Sequence, residues 1–115
     1  MTQRLPPHVA TVVEALSGLK GHEILVLDLR GLTDATDWFV IASGTSDTHV
    51  RGLADAVTKA MQPLGHRPHH AEGLTQGRWV LLDFVDVVVH LFHPEARNFY
   101  RLERLWGDAP MLRTG

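Results

Sequence analysis

The chain has no cysteine among its 115 residues, which excludes disulfides, thiolate zinc centres and a cysteine nucleophile. It also lacks an excess of either charge. Eleven lysines and arginines against thirteen acidic residues leave a formal net charge of −2. That balance speaks against nucleic-acid binding driven by phosphate neutralisation, while leaving room for a local charged patch. Long apolar runs are missing: Val87–Val89, or Val85–Phe92 with Asp86 and His90 included, falls far short of the ~20 residues of a membrane helix. The opening Met1-Thr2-Gln3-Arg4-Leu5-Pro6-Pro7 has neither the apolar core nor the small-residue end of a signal peptide. No internal repeat or low-complexity tract is visible. These absences predict a soluble, cytoplasmic protein. What remains is ordinary globular usage, 44% hydrophobic and 21% charged. The length suits one domain, and surface scaling predicts that about two thirds of its surface is buried.

Hydrophobic periodicity divides the chain into elements. Pro6-Pro7 opens a helix with its stripe at Val9, Val12, Val13 and Leu16, stopped by Gly18 and Gly21. Glu23–Leu29 is an apolar run suited to a strand buried on both faces, and Trp38–Ala42 is a second strand. Ser46 or Thr45 caps a helix whose stripe is Val50, Leu53, Ala54, Val57 and Met61, ending at Pro63 and Gly65. Residues 66–72 form at most an edge strand. Trp79–Phe84 and Val85–Phe92 carry strong strand signals. Only Phe84 and Val85 separate Asp83 from Asp86, which implies a tight hairpin or, since neither residue favours positive φ, a continuous bent strand. Pro94 opens a last helix with Phe99, Leu102 and Trp106, stopped by Gly107 and Pro110. The expected architecture is α/β: a mixed central sheet of about five strands with helices packed on its faces.

Four constellations are candidates for function. Ser43-Gly44-Thr45-Ser46, between strand and helix, offers backbone amides to an anion, or is simply a turn with an N-cap. It lacks Walker and GxGxxG spacing, and the following helix supplies only the distant Lys59. Asp83 and Asp86 suit a divalent metal in a layout loosely like that of nucleotidyltransferases, but three residues apart on a regular strand they point to opposite faces. The histidines, His66, His69, His70, His90 and His93 among them, lack the spacing of a metal site, and His90 reads equally as an inward residue bonded to the backbone. No Ser-His-Asp arrangement can be assembled. Finally, Trp79, Leu81 and Asp83 share one strand face, near Tyr100, Glu103 and Trp106 in the C-terminal block. Aromatic anchors beside carboxylates suit a basic protein partner; the competing reading is an aromatic core with a solvated rim, most plausible for Trp106.

Long motifs occur in a fixed order: Asp28-Leu29-Arg30-Gly31-Leu32, Asp37-Trp38-Phe39-Val40-Ile41-Ala42-Ser43-Gly44-Thr45-Ser46, Glu72-Gly73, Trp79-Val80-Leu81-Leu82-Asp83-Phe84, Asp86-Val87-Val88-Val89-His90-Leu91-Phe92 and Phe99-Tyr100-Arg101-Leu102-Glu103-Arg104-Leu105-Trp106. Together they closely resemble the ribosomal silencing factor, or Iojap-like, family over residues 8–109. Val85 departs from the glycine of many members. The resemblance implies one silencing-factor domain over residues 1–115, with a nucleotidyltransferase-like fold and neither catalysis, cofactor nor metal. It implies a translational repressor that binds the large ribosomal subunit through ribosomal protein L fourteen, blocks joining of the small subunit under nutrient limitation, and takes part in subunit assembly. A homodimer when free, with no membrane or sequence-specific nucleic-acid partner, completes the expectation. The partner-binding residues it suggests are Trp79, Leu81, Asp83, Asp86, Tyr100, Glu103 and Trp106. The alternative is a vestigial nucleotide-binding protein with Asp83 and Asp86 as metal carboxylates.

Overall fold

The computed structural model describes residues 5–99 and 109–114. Helix α1 (Pro7–Gly18) starts with proline in its first turn, where the missing N–H has no intrahelical partner to lose. It buries Val9, Val12 and Leu16. The Leu16 carbonyl accepts from the Gly21 amide at 2.7 Å, closing the turn into β1 (His22–Asp28). Strand β2 (Trp38–Ser43) returns antiparallel to β1. Helix α2 (Asp47–Met61) is capped by Ser46, whose hydroxyl accepts from the His49 amide at 3.1 Å. Its buried residues are Val50, Leu53, Ala54, Val57 and Met61, the stripe expected from the periodicity. Three short strands follow: β3 (His70–Glu72), β4 (Trp79–Asp83) and β5 (Val87–Phe92). Then come α3 (Pro94–Phe99) and β6 (Met111–Thr114).

The sheet has six strands in the order β3-β4-β5-β2-β1-β6. Among the described strands only β2 and β5 pair in parallel, joined by a crossover that contains α2, β3 and β4. Strands β1 and β2 lie inside the sheet, which explains their unbroken apolar sequences. One sheet face, with Ile24, Val26, Val40, Val80, Leu82, Val89 and Leu91, packs beneath α1 and α2 and forms the main core. Each large aliphatic side chain buried there contributes roughly 1.5–3 kcal/mol. On the opposite face, Ala96 of α3 and Ala109 lie against Leu25, Leu27, Leu29, Ile41 and Phe92. That smaller cluster covers the β1–β2 side, with Phe39 and Trp79 at its margin.

Strand β6 lies beyond the elements expected from sequence. Four residues after Pro110 show too little alternation to signal a strand, and its pairing with β1 is a long-range contact. The β4–β5 connection is the tight hairpin rather than the bent strand. Asp83 Oδ1 accepts from the Val85 amide at 2.8 Å, and the Phe84 amide donates to the Val87 carbonyl at 2.9 Å. Val85 adopts φ +76° to make this turn, a strained conformation for a β-branched residue. Because Val85 is 48% exposed, its side chain gives little burial in return. Val85→Gly relieves ~1–2 kcal/mol of strain and loses ~0.5–1 kcal/mol to unfolded-state entropy. Thermal melts are expected to show a midpoint about 2–4 °C above that of the parent chain. A midpoint below that of the parent chain would mean that the turn is not strained.

Candidate protein-docking face

The sheet half formed by β3, β4 and β5 collects most of the described candidate residues. Period-two alternation sends Val80 and Leu82 into the main core and sets Trp79, Leu81 and Asp83 half-buried on the other face. Cross-strand register completes the surface. Trp79 stands opposite Phe92, Leu81 opposite His90 and Asp83 opposite Val88. On the outer side Glu72 pairs with Leu81 and His70 with Asp83, while on the inner side Val88 neighbours Phe39 and His90 neighbours Ile41.

His90 ties this surface together. The Trp79 indole Nε1–H donates to His90 Nδ1 at 3.1 Å, while the Trp79 and Phe92 rings stack with centroids 5.2 Å apart. Phe39 lies against the imidazole at 4.7 Å. Since Nδ1 accepts, the imidazole proton resides on Nε2, which is buried and has no hydrogen-bond partner among the described residues. The histidine is thus inward, as one reading of the sequence held, but its partner is the indole of Trp79 and not the backbone. At 5% exposure the charged imidazolium is poorly solvated, and burial pushes the pKa down from 6.5 to about 4.

That shift carries a sign. The unfolded chain takes up the His90 proton first as pH falls, so this stability contribution is complete above about pH 6.5 and is lost on descent toward pH 4. The loss amounts to about 3 kcal/mol. His90→Gln keeps a hydrogen-bond acceptor and cannot titrate. Urea melts at pH 7 and pH 4 are therefore expected to show a smaller loss for the variant, the surface histidines cancelling in the comparison. Equal losses would mean that His90 is not the buried neutral group described.

The acidic groups and the small-residue turn each make structural contacts. Asp83 spends one carboxylate oxygen on its own hairpin, and Asp86 is exposed at the tip. The Asp86 carbonyl accepts from the Asp37 and Trp38 amides at 3.2 and 3.1 Å, anchoring the hairpin to β2. Among the described residues, no group of three or more His, Cys, Asp or Glu is placed to hold a metal. In the Ser43–Ser46 turn, Gly44 N–H donates to the Phe92 carbonyl at 2.9 Å and Thr45 N–H to His49 Nδ1 at 2.8 Å. The same His49 ring donates from Nε2 to the Leu19 carbonyl at 2.7 Å. The Gly44 and Thr45 amides are thus engaged within the fold, and His49 ties α2 to the end of α1.

Tyr100, Glu103 and Trp106 lie outside the described residues. Sequence reasoning missed Glu72, Phe39 and His90 as parts of the face. The signal for His90 and Phe92 was parity with Trp79, Leu81 and Asp83, legible only once the hairpin is placed. Glu72 needed the register of a three-residue edge strand. Beside it, Glu72, Gly73, Trp79 and Leu81 line an open cavity of about 210 Å³.

These features define a mixed-sheet α/β protein with helices α1 and α2 on one face and an aromatic, carboxylate-rimmed surface on half of the other. The chain belongs to the ribosomal silencing factor family: the family model described as "Ribosomal silencing factor during starvation" matches residues 2–114. It is 41% identical over 100 residues to a ribosomal silencing factor of Halalkalibacterium halodurans, covering 87% of this chain and 86% of that one. It is also 35% identical over 98 residues to the Mus musculus protein named "Mitochondrial assembly of ribosomal large subunit protein 1", covering 83% of this chain and 43% of that protein. A crystal structure of a Chromobacterium violaceum protein superposes with a TM-score of 0.86 at 35% identity, covering 91% of this chain and 88% of its own. No described helix is long and apolar enough to cross a membrane.

Proposed function

We propose that this chain is a translational repressor that docks on the large ribosomal subunit through its β3–β4–β5 face and thereby keeps the small subunit from joining. The observation that carries the reading is the juxtaposition on one surface of Trp79, Leu81 and Phe39 with the carboxylates of Glu72 and Asp83, next to the hairpin tip that exposes Asp86. Aromatic anchors inside an acidic rim suit a basic partner, and ribosomal proteins are generally basic. The rim charges steer the encounter and the central rings hold the complex. The names of the relatives support the same target, and the family resemblance supplies ribosomal protein L fourteen as the contact. Tyr100, Glu103 and Trp106 belong to the proposed surface by that resemblance.

The mechanism is occupancy of a shared surface, with no catalytic step. A competitor present at about one hundred times its Kd disfavours subunit joining by ~2.7 kcal/mol through mass action alone. The free protein is proposed to be a homodimeric, cytoplasmic, single-domain factor with its core over residues 8–109. A role in large-subunit assembly fits the same contact.

Sucrose-gradient sedimentation of purified ribosomal subunits tests this reading. The protein is expected to travel with the large subunit and to reduce the joined fraction. A protein that stays at the top while subunits join normally would refute it. The nucleotide-binding alternative would then be tested by a thermal shift with magnesium and a nucleoside triphosphate that is lost in Asp83→Asn.

A further inference from the structure

We propose that the cavity between β3 and β4 seats an arginine side chain of the docking partner, an inference that rests on the docking role proposed for this face. The cavity measures about 210 Å³. At ~30 Å³ per water it holds about seven water volumes, on the order of the non-hydrogen atoms of one arginine side chain. Its walls supply what that side chain requires. Trp79 and Leu81 form an apolar surface for the methylenes and the guanidinium plane, and the Glu72 carboxylate supplies the counter-charge.

A further described wall is Gly73, at φ +80°. A Cβ there would lie 2.0 Å from the Trp79 carbonyl oxygen, so this backbone approach requires glycine and brings no side chain of its own into the cavity. Among the described residues, none that lines the space is basic. Arg78, next to Trp79 in sequence, is directed to Glu95 at 3.5 Å, and His70 pairs with Glu72 across the exposed edge.

The chain contains its own example of this recognition. Arg30 places its guanidinium 4.7 Å from the centroid of the Trp38 ring while donating to both Asp28 carboxylate oxygens at 2.9 and 2.8 Å. These hydrogen bonds hold the Asp28 carboxyl below the usual carboxylate range. Trp79 and Glu72 likewise bring an indole and a carboxylate to one cavity, and an incoming guanidinium would exchange with His70 at the Glu72 carboxylate. A lysine ammonium supplies neither the planar stack nor the bidentate fork.

The experiment compares Glu72→Gln, Trp79→Ala and Asp55→Asn in binding to purified large subunits at two salt concentrations. Asp55 lies on α2, beneath the other sheet face, and controls for net charge. Glu72→Gln is expected to weaken binding about tenfold and to flatten its salt dependence. Asp55→Asn should bind as the parent does, and Trp79→Ala should lose more than Glu72→Gln. If Glu72→Gln binds normally while Trp79→Ala fails, the cavity assignment falls and the face stands. If neither variant weakens binding, the face falls and takes the cavity with it. An equal loss in Asp55→Asn also overturns the site, because it would assign the effect to overall charge. Arginine amide and lysine amide are then titrated against the Trp79 indole N–H resonance, with Trp38 as internal reference. Arginine should move that signal more; an equal response to lysine overturns the choice of arginine.

Discussion

Trp79→Ala is expected to weaken binding to the large subunit by ~2–4 kcal/mol, roughly 30- to 1,000-fold, the range of a central aromatic anchor. Trp79 supplies the indole of the proposed face, stacks on Phe92 and donates the hydrogen bond that fixes the His90 tautomer. Truncation removes all of these together and leaves His90 Nδ1 without the indole donor. Trp79→Phe separates the contributions, since it keeps an aromatic ring against Phe92 and loses only the N–H. It should retain more affinity than alanine. Circular dichroism melts of both variants show whether the fold persists. A folded Trp79→Ala that binds like the parent would remove Trp79 from the docking surface.

The second large effect belongs to the backbone. Gly73→Ala is expected to destabilise the fold by ~3 kcal/mol, lowering the melting midpoint by about 10 °C. The added Cβ meets the carbonyl oxygen of Trp79 at 2.0 Å, and a backbone atom at the start of β4 cannot yield without disturbing the ladder. Positive φ adds ~1–2 kcal/mol of strain. Gly65 gives the internal control: it too has φ +80°, but a Cβ there meets nothing within 4 Å. Gly65→Ala should therefore cost only the strain. Similar melting points for the two variants would show that the close approach of Gly73 to Trp79 does not matter.

Elements set by local chemistry were legible in the sequence. The stripe of α2, the Ser46 cap and the doubly buried β1 each follow from side-chain period or from one hydrogen bond that a neighbouring residue supplies. The β4 alternation that brings Trp79, Leu81 and Asp83 to one face belongs with them. Features that depend on distant partners were not legible. Strand β6 exists because β1 offers an edge, and Glu72 joins the face only through the register of β3. His90 finds the Trp79 indole because a hairpin forms despite the strain at Val85. Residue type alone favoured no such turn. The family resemblance, carried by long ordered motifs, reached further than any of these local arguments.

The most direct measurement is an electron cryomicroscopy reconstruction of this chain bound to the large subunit. The account predicts that β3, β4 and β5 face the ribosome, with Trp79 against a basic ribosomal protein and the helices α1 and α2 turned outward, at a place where the small subunit would otherwise dock. A complex held through α1 and α2, or one that leaves the subunit-joining surface open, would contradict it.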